Sequence, residues 1–344
     1  MNGLETTLAN VLAARRDLFE PRHTSALRLF NGFLEGEPDL AVDLYGSSLV
    51  LHIHANPPES AAEKAQVVWQ FYLAQLPWLQ AVVVKEHRAP TLNARRGVLV
   101  YGDHHCSDGD KLDRKVCENG VWYAIDLLLN QDASLYLDTR LLRAWAKTNL
   151  AGKRVLNTFA YTGSLGVAAQ AGGAAQVVQT DLSRRYLNLA KTSYTLNGFP
   201  IHKEDFIAGD FWQVVSSFKR RGELYDCIFL DPPFFSATDK GRVDLVGQSQ
   251  RVINKVRPLV SDGGWLVAIN NALFLSGQDY LHLLEELCAG GYMQIEEMLG
   301  VPPDFTGYPQ TITAALPVDP APFNHATKIA VLRIRRKAGV ESRK

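Results

Sequence analysis

The stretch Val155-Leu-Asn-Thr-Phe-Ala-Tyr-Thr-Gly-Ser-Leu-Gly166 decides the fold. It reads as an apolar strand running into a tight turn with Gly163 and Gly166, and a helix starts beyond. Glycines there let the backbone approach a ligand closely, and the helix N-terminus offers free N–H groups. Taken alone, such a turn is equally a plain strand-to-helix connection. Working outward, short apolar strands recur at Val155–Phe159, Gln176–Thr180, Glu204–Ala208, Cys227–Leu230 and Trp265–Ile269. The helices fall at about 164–171, 183–197, 210–218, 240–257 and 277–289. This alternation predicts a parallel sheet covered on both faces. Ile295–Leu299 and Lys328–Arg335 flank a Pro-rich loop at 301–325 and add an antiparallel edge, giving seven strands.

In such a sheet the ligand crevice lies at the carboxyl ends of the strands. Asp181 closes the second strand, eighteen residues after Gly163, where an acid can accept both ribose hydroxyls of an adenosine. Capping the helix from Ser183 is its structural alternative, which Ser183 serves equally well. Asp210 follows the third strand in Ile-Ala-Gly-Asp210-Phe-Trp, where a carboxylate can accept an adenine amino group while Phe211 or Trp212 packs on the ring. Helix capping is again the alternative. Asp231-Pro-Pro-Phe-Phe235 ends the fourth strand. Two prolines stiffen the backbone and remove two N–H donors, leaving carbonyls and a carboxylate beside an aromatic ring. That suits a planar nitrogenous substrate better than a mere turn.

Upstream, residues 1–24 contain an amphipathic helix that Pro21 stops. Residues 25–115 read as a small α/β domain of strands with one helix from Ser60 to about Gln75. Within it, 86–115 is polar and without period, a linker or loop. Residues 116–130 make a hairpin connector around Asn119-Gly120, and 131–340 form the domain with the parallel sheet. A helix over Thr139–Thr148 opens that last domain.

The 344 residues are 47% apolar and 21% charged, a globular composition with length for two domains. Acids and bases balance at 36 each, so bulk charge argues for neither nucleic acid nor membrane. The four cysteines form no CxxC or Cys/His cluster, which excludes a disulfide scaffold and a structural zinc site. No apolar run approaches the ~18 residues of a membrane span, and the first twenty lack a signal-peptide core. The expectation is a soluble, cytoplasmic chain with no membrane partner.

The motifs in this order resemble class I S-adenosylmethionine-dependent methyltransferases. The fold the resemblance implies is a Rossmann-like seven-stranded methyltransferase sheet preceded by a smaller α/β domain. Ser134-Leu-Tyr-Leu-Asp138-Thr-Arg140 is similar to the "YYLDQR" segment of the large-subunit ribosomal RNA methyltransferases acting on cytosine C5 or guanine N7. Asn157-Thr-Phe-Ala-Tyr-Thr-Gly163 resembles their "N-x-F-x-Y-T-G" loop, and Gly36–Gly46 their "G-x-P-G-L-x-V-D-x-Y-G" segment. The resemblance implies S-adenosyl-L-methionine as cofactor, contacted by Tyr136, Asp138, Arg140, Asn157, Phe159, Tyr161, Thr162, Gly163, Asp181, Leu182, Asp210, Phe211 and Asp231. Asp231, Pro232, Pro233 and Phe234 would face the target and form the catalytic set. The implied partner is RNA, ribosomal in the family, and a homodimer is compatible with the sequence.

Two departures matter. Family members that methylate C5 carry a cysteine after the fifth strand, because pyrimidine C5 becomes nucleophilic only after thiolate addition at C6. Here that stretch is Ala268-Ile-Asn-Asn-Ala-Leu273. Asn270-Asn271 instead resembles the "SNN" of the guanine-N7 branch, where a ring lone pair attacks the methyl and positioning dominates. The acceptor favoured is therefore a base nitrogen, with 5-methylcytosine formation and a small-molecule or protein acceptor as alternatives. A catalytically silent RNA-binding protein of the same fold is the rival from another class. The second departure is the PUA module that many members carry at the N-terminus: only about 25 residues precede the match. RNA would then be held by local basic clusters at Arg15-Arg16, Arg95-Arg96, Lys219-Arg-Arg221 and Arg333–Lys337. The long loop Pro302–His325 is expected to cover the substrate side, with Phe305, Tyr308, Asn324 or His325 near the target. His325 is a candidate general base there, against a structural hydrogen bond.

Overall fold

The computed structural model describes residues 3–102, 111–233, 235–238, 241–244, 249–273, 275–313, 323 and 325–336. The chain divides into two compact units: Met1–Asp138 with Pro302–Leu316, and Thr139–Val301 with Pro317–Lys344. The expected boundary at 131 thus falls eight residues early, since 126–138 is tied into the first unit. There Tyr45 Oη donates to the Leu135 carbonyl, and Ser134 Oγ accepts from the Asp126 N–H.

In the first unit the order is α1 (Gly3–Ala13), β1 (Ala26–Asn31), α2 (Gly32–Glu35), β2 (Leu40–Tyr45), β3 (Ser48–Ile53), α3 (Ala62–Gln75), β4 (Ala81–Glu86), α4 (Leu92–Arg96), β5 (Val98–Tyr101), β6 (Lys115–Glu118) and β7 (Val121–Ala124). Strands β1 to β5 form one sheet in sequence order, with only β3 and β4 parallel. One face carries Leu27, Leu29, Val42, Leu49 and Leu51 against Leu8, Val11, Val68 and Tyr72 of α1 and α3. Alternation along the strands sends Arg28, Asp43, His52 and Lys85 to the other face. The expected linker at 86–115 is corrected: it holds α4 and β5. Val98-Leu-Val-Tyr101 is too short to show a period, yet it pairs with β4 as an edge strand. The hairpin β6–β7 turns at Asn119-Gly120, both with φ > 0, as a two-residue Asn-Gly turn requires.

The second unit runs α5 (Arg140–Asn149), β8 (Arg154–Thr158), α6 (Ser164–Ala171), β9 (Gln176–Asp181), α7 (Arg184–Leu196), β10 (Phe206–Ala208), α8 (Phe211–Arg220), β11 (Tyr225–Leu230), β12 (Phe235–Thr238), β13 (Gly241–Asp244), α9 (Ser249–Val256), β14 (Val260–Asn270), α10 (Gly277–Cys288), β15 (Met293–Leu299) and β16 (Lys328–Ile334). Its seven-stranded sheet has the order β10-β9-β8-β11-β14-β16-β15. The first five strands are parallel, and β16 lies antiparallel to both β14 and β15. Leu142, Ala146, Leu165 and Ala168 of α5 and α6 cover one face. Val215, Phe218, Val252, Ile253 and Leu284 of α8, α9 and α10 cover the other. The chain reverses direction across the sheet between β8 and β11, so the crevice opens at their carboxyl ends. The helix expected over 240–257 is shorter: it starts at Ser249, and residues 241–244 pair with 235–238. Gly241 is a poor helix former by about 1 kcal/mol. No helix among the described residues is long and apolar enough to cross a membrane.

Candidate active site

The loop after β8 is wound tightly. Phe159 and Tyr161 have φ of 52° and 50°, and Gly163 has φ of 78°, so three of five residues are left-handed. Such backbone costs a non-glycine residue of order 1 kcal/mol or more and persists only where its surroundings over-determine it. Asp181 supplies one such restraint. Its Oδ2 accepts the Tyr161 N–H at 2.8 Å and its Oδ1 accepts the Ser183 N–H at 2.8 Å. The carboxylate thus ties the β8 loop to the tip of β9 instead of capping α7. Burial pushes the Asp181 carboxyl above its ordinary value, and the backbone donors only partly offset this.

Gly163 and Gly166 have a different reason from the one their sequence suggests. A β-carbon at Gly163 would lie 2.5 Å from both Ala190 Cβ and Gln179 Oε1, and one at Gly166 would lie 2.7 Å from Gln179 Cδ. They make room for the fully buried Gln179 beneath the loop, so close helix–strand packing is their structural role. Gln179 Oε1 also accepts from Asn157 Nδ2 at 3.3 Å, which places the buried Asn157 side chain between strands. Sequence reasoning passed over Gln179. A polar residue at a buried strand position between two glycine turns is the signal that finds it. Thr158, also missed, donates from Oγ1 to the Phe229 carbonyl at 2.7 Å and joins β8 to β11 where the chain reverses.

At Asp210 the capping alternative is realised: Oδ1 accepts from the N–H groups of Trp212 and Gln213 at 3.0 and 3.2 Å. Phe211 is buried and stacked on Phe159 with centroids 4.5 Å apart. One of its faces is therefore already covered. Leu182, by contrast, leaves 69% of its surface exposed beside Asp181. Thr162 is buried, and Tyr161 meets Tyr186 edge-on at 4.5 Å.

A family model described as S-adenosylmethionine-dependent methyltransferase matches residues 38–316. The chain belongs to this family. The ribosomal RNA large subunit methyltransferase I of Photobacterium profundum is 30% identical over 242 residues, covering 70% of this chain and 57% of that protein. Its namesake in Aeromonas salmonicida is 28% identical over 307 residues, 86% of this chain and 75% of the relative. The ribosomal RNA large subunit methyltransferase K/L of Colwellia psychrerythraea is 30% identical over 255 residues, but this chain covers 34% of its length. Among solved structures, SMU.776, described as a methyltransferase and complexed with SAH, has the same fold. It is 21% identical with a TM-score of 0.80, covering 96% of this chain and 81% of its own.

In this member of the family the Asp231-Pro232-Pro233 segment leaves β11 directly beside the reversal point, with Pro232 buried and Pro233 exposed. Phe234 lies outside the described residues. Asn270, at the end of β14, is fully buried; its Nδ2 donates to Ser249 Oγ and its Oδ1 accepts the Ala272 N–H. It shapes the loop that the exposed Asn271 continues. Tyr136 and Asp138 fall in the first unit, where Tyr136 Oη donates to Asp132 Oδ2, and Arg140 opens α5 of the second. Among the described residues no thiol is poised for attack. Cys227 is fully buried in β11, and burial raises the Cys117, Cys227 and Cys288 thiols. Cys106 lies outside the described residues.

The loop after β15 corrects two expectations. Phe305, in the short helix Pro303–Thr306, lies beneath the Arg28 guanidinium at 3.7 Å, and Tyr308 lies near Arg15. Both belong to the first unit, whose charged residues claim them as packing partners. His325 Nδ1 accepts from the Thr327 N–H at 3.1 Å, a structural bond, and Asn324 lies outside the described residues.

Proposed function

We propose that this methyltransferase modifies a base of ribosomal RNA at a nitrogen, guanine N7 being the model. The carrying observation is the absence of a poised thiol among the described residues, together with Asp231-Pro232-Pro233 at the tip of β11. Without a thiolate to activate C5, the acceptor must be nucleophilic by itself, as a ring nitrogen is. The ribosomal RNA substrate comes from the names of the relatives.

Asp181 fits the ribose hydroxyls of S-adenosylmethionine. Its oxygens accept backbone N–H groups from the loop and the strand tip, and among the described residues no cation competes for them. The exposed Leu182 fits an adenine face, and Asp210 fits its amino group, while Phe159 and Phe211 build the floor. Tyr161, Thr162 and Gly163 line the loop opposite, with Asn157 supporting it from below, and Arg140 completes the set within the second unit. Bound there, the cofactor supplies an electrophilic methyl group. Asp231 and the Pro232 carbonyl hold the amino edge of the acceptor base. A base within a stem has to be flipped out to reach them. The work asked of the chain is orientation and exclusion of water, with no strong base required.

The test is transfer of labelled methyl from S-adenosylmethionine to unmodified ribosomal RNA, followed by nucleoside mass spectrometry. A methylguanosine is expected. Incorporation as 5-methylcytosine would overturn the nitrogen assignment, and incorporation into protein or small molecules alone would overturn the RNA assignment.

A further inference from the structure

The basic clusters visible in the sequence have different fates. Arg15 is buried and paired bidentately with Glu35, so it cannot meet phosphate. Arg333 pairs with Glu296 and lies over the Trp265 ring at 4.2 Å, while Arg336 donates to the Pro258 and Val260 carbonyls. Lys219-Arg-Arg221, however, is enlarged by residues thirty positions away. Arg251 and Lys255, one turn apart on α9, come alongside α8 and line one groove with Lys219, Arg220 and Arg221.

Among the described residues five basic side chains line this groove, and Asp210, already engaged as the α8 cap, is the one carboxylate lining it. Arg221 is partly neutralised by Glu223 at 2.6 Å. Two of the basic residues gather over one ring: the Trp212 indole has the Arg251 guanidinium at 4.8 Å and the Lys255 ammonium at 5.7 Å. Lys255 Nζ also donates to Ser216 Oγ at 2.8 Å, which fixes its head group toward α8. Burial, and then the charges of Lys255 and Arg257, hold the Lys219 ammonium below its ordinary value. Like charges held together in this way raise the local potential and attract a polyanion. The chain has no net charge, so this concentration is local and not a reflection of bulk composition. One end of the groove is lined by Ala208, Gly209 and Asp210, where β10 meets α8 at the crevice, and the other extends about 15 Å along α8.

We propose that the groove between α8 and α9 holds the phosphate backbone of the RNA substrate and leads it to the crevice. This rests on the RNA reading above and assigns that RNA a docking surface on the catalytic unit itself. The partner is a single strand or a stem edge, recognised by phosphate charge and not by base sequence. Lys219, Arg251 and Lys255 are its principal contacts, and the Trp212 ring braces two of them.

The experiment compares wild type, the triple variant Lys219→Glu/Arg251→Glu/Lys255→Glu, and a control triple at exposed basic residues elsewhere, Arg22→Glu/Lys64→Glu/Lys203→Glu. Binding of transcribed large-subunit ribosomal RNA is measured across a salt series, beside methyl transfer and affinity for S-adenosylmethionine. The groove variant should bind RNA about tenfold or more weakly, with a salt slope lower by about 1 per lost phosphate contact. Its KM for RNA should rise with kcat and cofactor affinity unchanged, and the control should match wild type. Should the groove triple lose the cofactor, Arg251→Glu alone, at an exposed position, must show a smaller shift of the same sign. A wild type that methylates RNA beside a groove variant with unaltered affinity and slope overturns the docking surface and leaves the RNA reading standing. A wild type that neither binds nor methylates RNA overturns both.

Discussion

In the first unit Asp43 sits between Arg28 at 2.7 Å and His52 at 3.2 Å, and Glu35 between Arg15 and Thr311. In the second unit Asp181 accepts only backbone N–H groups. Asp43 lies within β2, Glu35 in α2 beside β1 and Asp181 at the end of β9, and their environments are opposite in kind. Burial raises the Asp43 carboxyl, but Arg28 and His52 outweigh it and hold the group far below the ordinary range. Burial raises Asp181 as well, and among the described residues nothing cationic opposes it. A carboxylate closed by cations is a structural bolt. Asp181, held by backbone N–H groups at the tip of β9, has no such countercharge among the described residues. The first unit even extends its closed chain outward, since His52 Nδ1 meets His87 Nε2 at 2.9 Å and burial, followed by His52, lowers the His87 ring to about 3.

The contrast breaks most sharply at Glu35. Glu35→Ala leaves the Arg15 guanidinium buried without its carboxylate and should destabilise the chain by about 3–5 kcal/mol in denaturant unfolding. Cofactor affinity, measured on the folded fraction, should not change; a loss there would mean that the closed region also serves the ligand. Asp181→Ala should do the reverse. Affinity for S-adenosylmethionine should fall about a hundredfold by calorimetry, roughly 2.7 kcal/mol, with a smaller loss of stability from two freed N–H groups. Wild-type affinity in that variant would remove Asp181 from the site.

Acid separates the two carboxylates by sign. Asp43 is depressed when folded, so its pairing stabilises above the ordinary value of 3.8 and is lost as the pH falls below it. Asp181 is raised, so its contribution is present below 3.8 and is lost as the pH rises through the raised value. Stability–pH curves of Asp43→Asn and Asp181→Asn, each subtracted from wild type, should therefore slope in opposite directions; equal slopes would erase the distinction. The smallest effect is expected at Thr158→Val, which removes one hydrogen bond to the Phe229 carbonyl and should cost about 1 kcal/mol. A much larger loss of cofactor affinity than of stability there would show that the reversal point is tuned for the ligand as well as for the sheet.

Much of the second unit was legible before any coordinates. The apolar runs opening at Gln176 and the helix over Ser164–Ala171 carry short-range signals, period and turn chemistry, that the folded chain preserves. The place of Asp181 at the tip of β9 was legible because the apolar run before it marks the strand. Gln179 was not, since its importance lies in filling the space two glycines leave on a neighbouring element. Val98–Tyr101 escaped for the opposite reason: four residues are too few to display a period, and the strand exists because β4 offers it an edge.

The alternation of strand and helix after Arg154, the glycine turn and the acids at strand tips determine by themselves a doubly wound sheet with a crevice for a nucleoside-like ligand. Periodicity suffices there because each signal acts within a few residues of its cause. Only the tertiary structure decided which charges are closed and which are open. Arg15 looked like part of a surface patch until Glu35 and the Asp304 carbonyl, 20 and 289 residues away, enclosed it. Lys219 became part of a basic groove only when α9 brought Arg251 and Lys255 alongside. Charge pairing falls off with distance in space and is indifferent to distance along the chain, so no spacing in the sequence could have revealed either outcome.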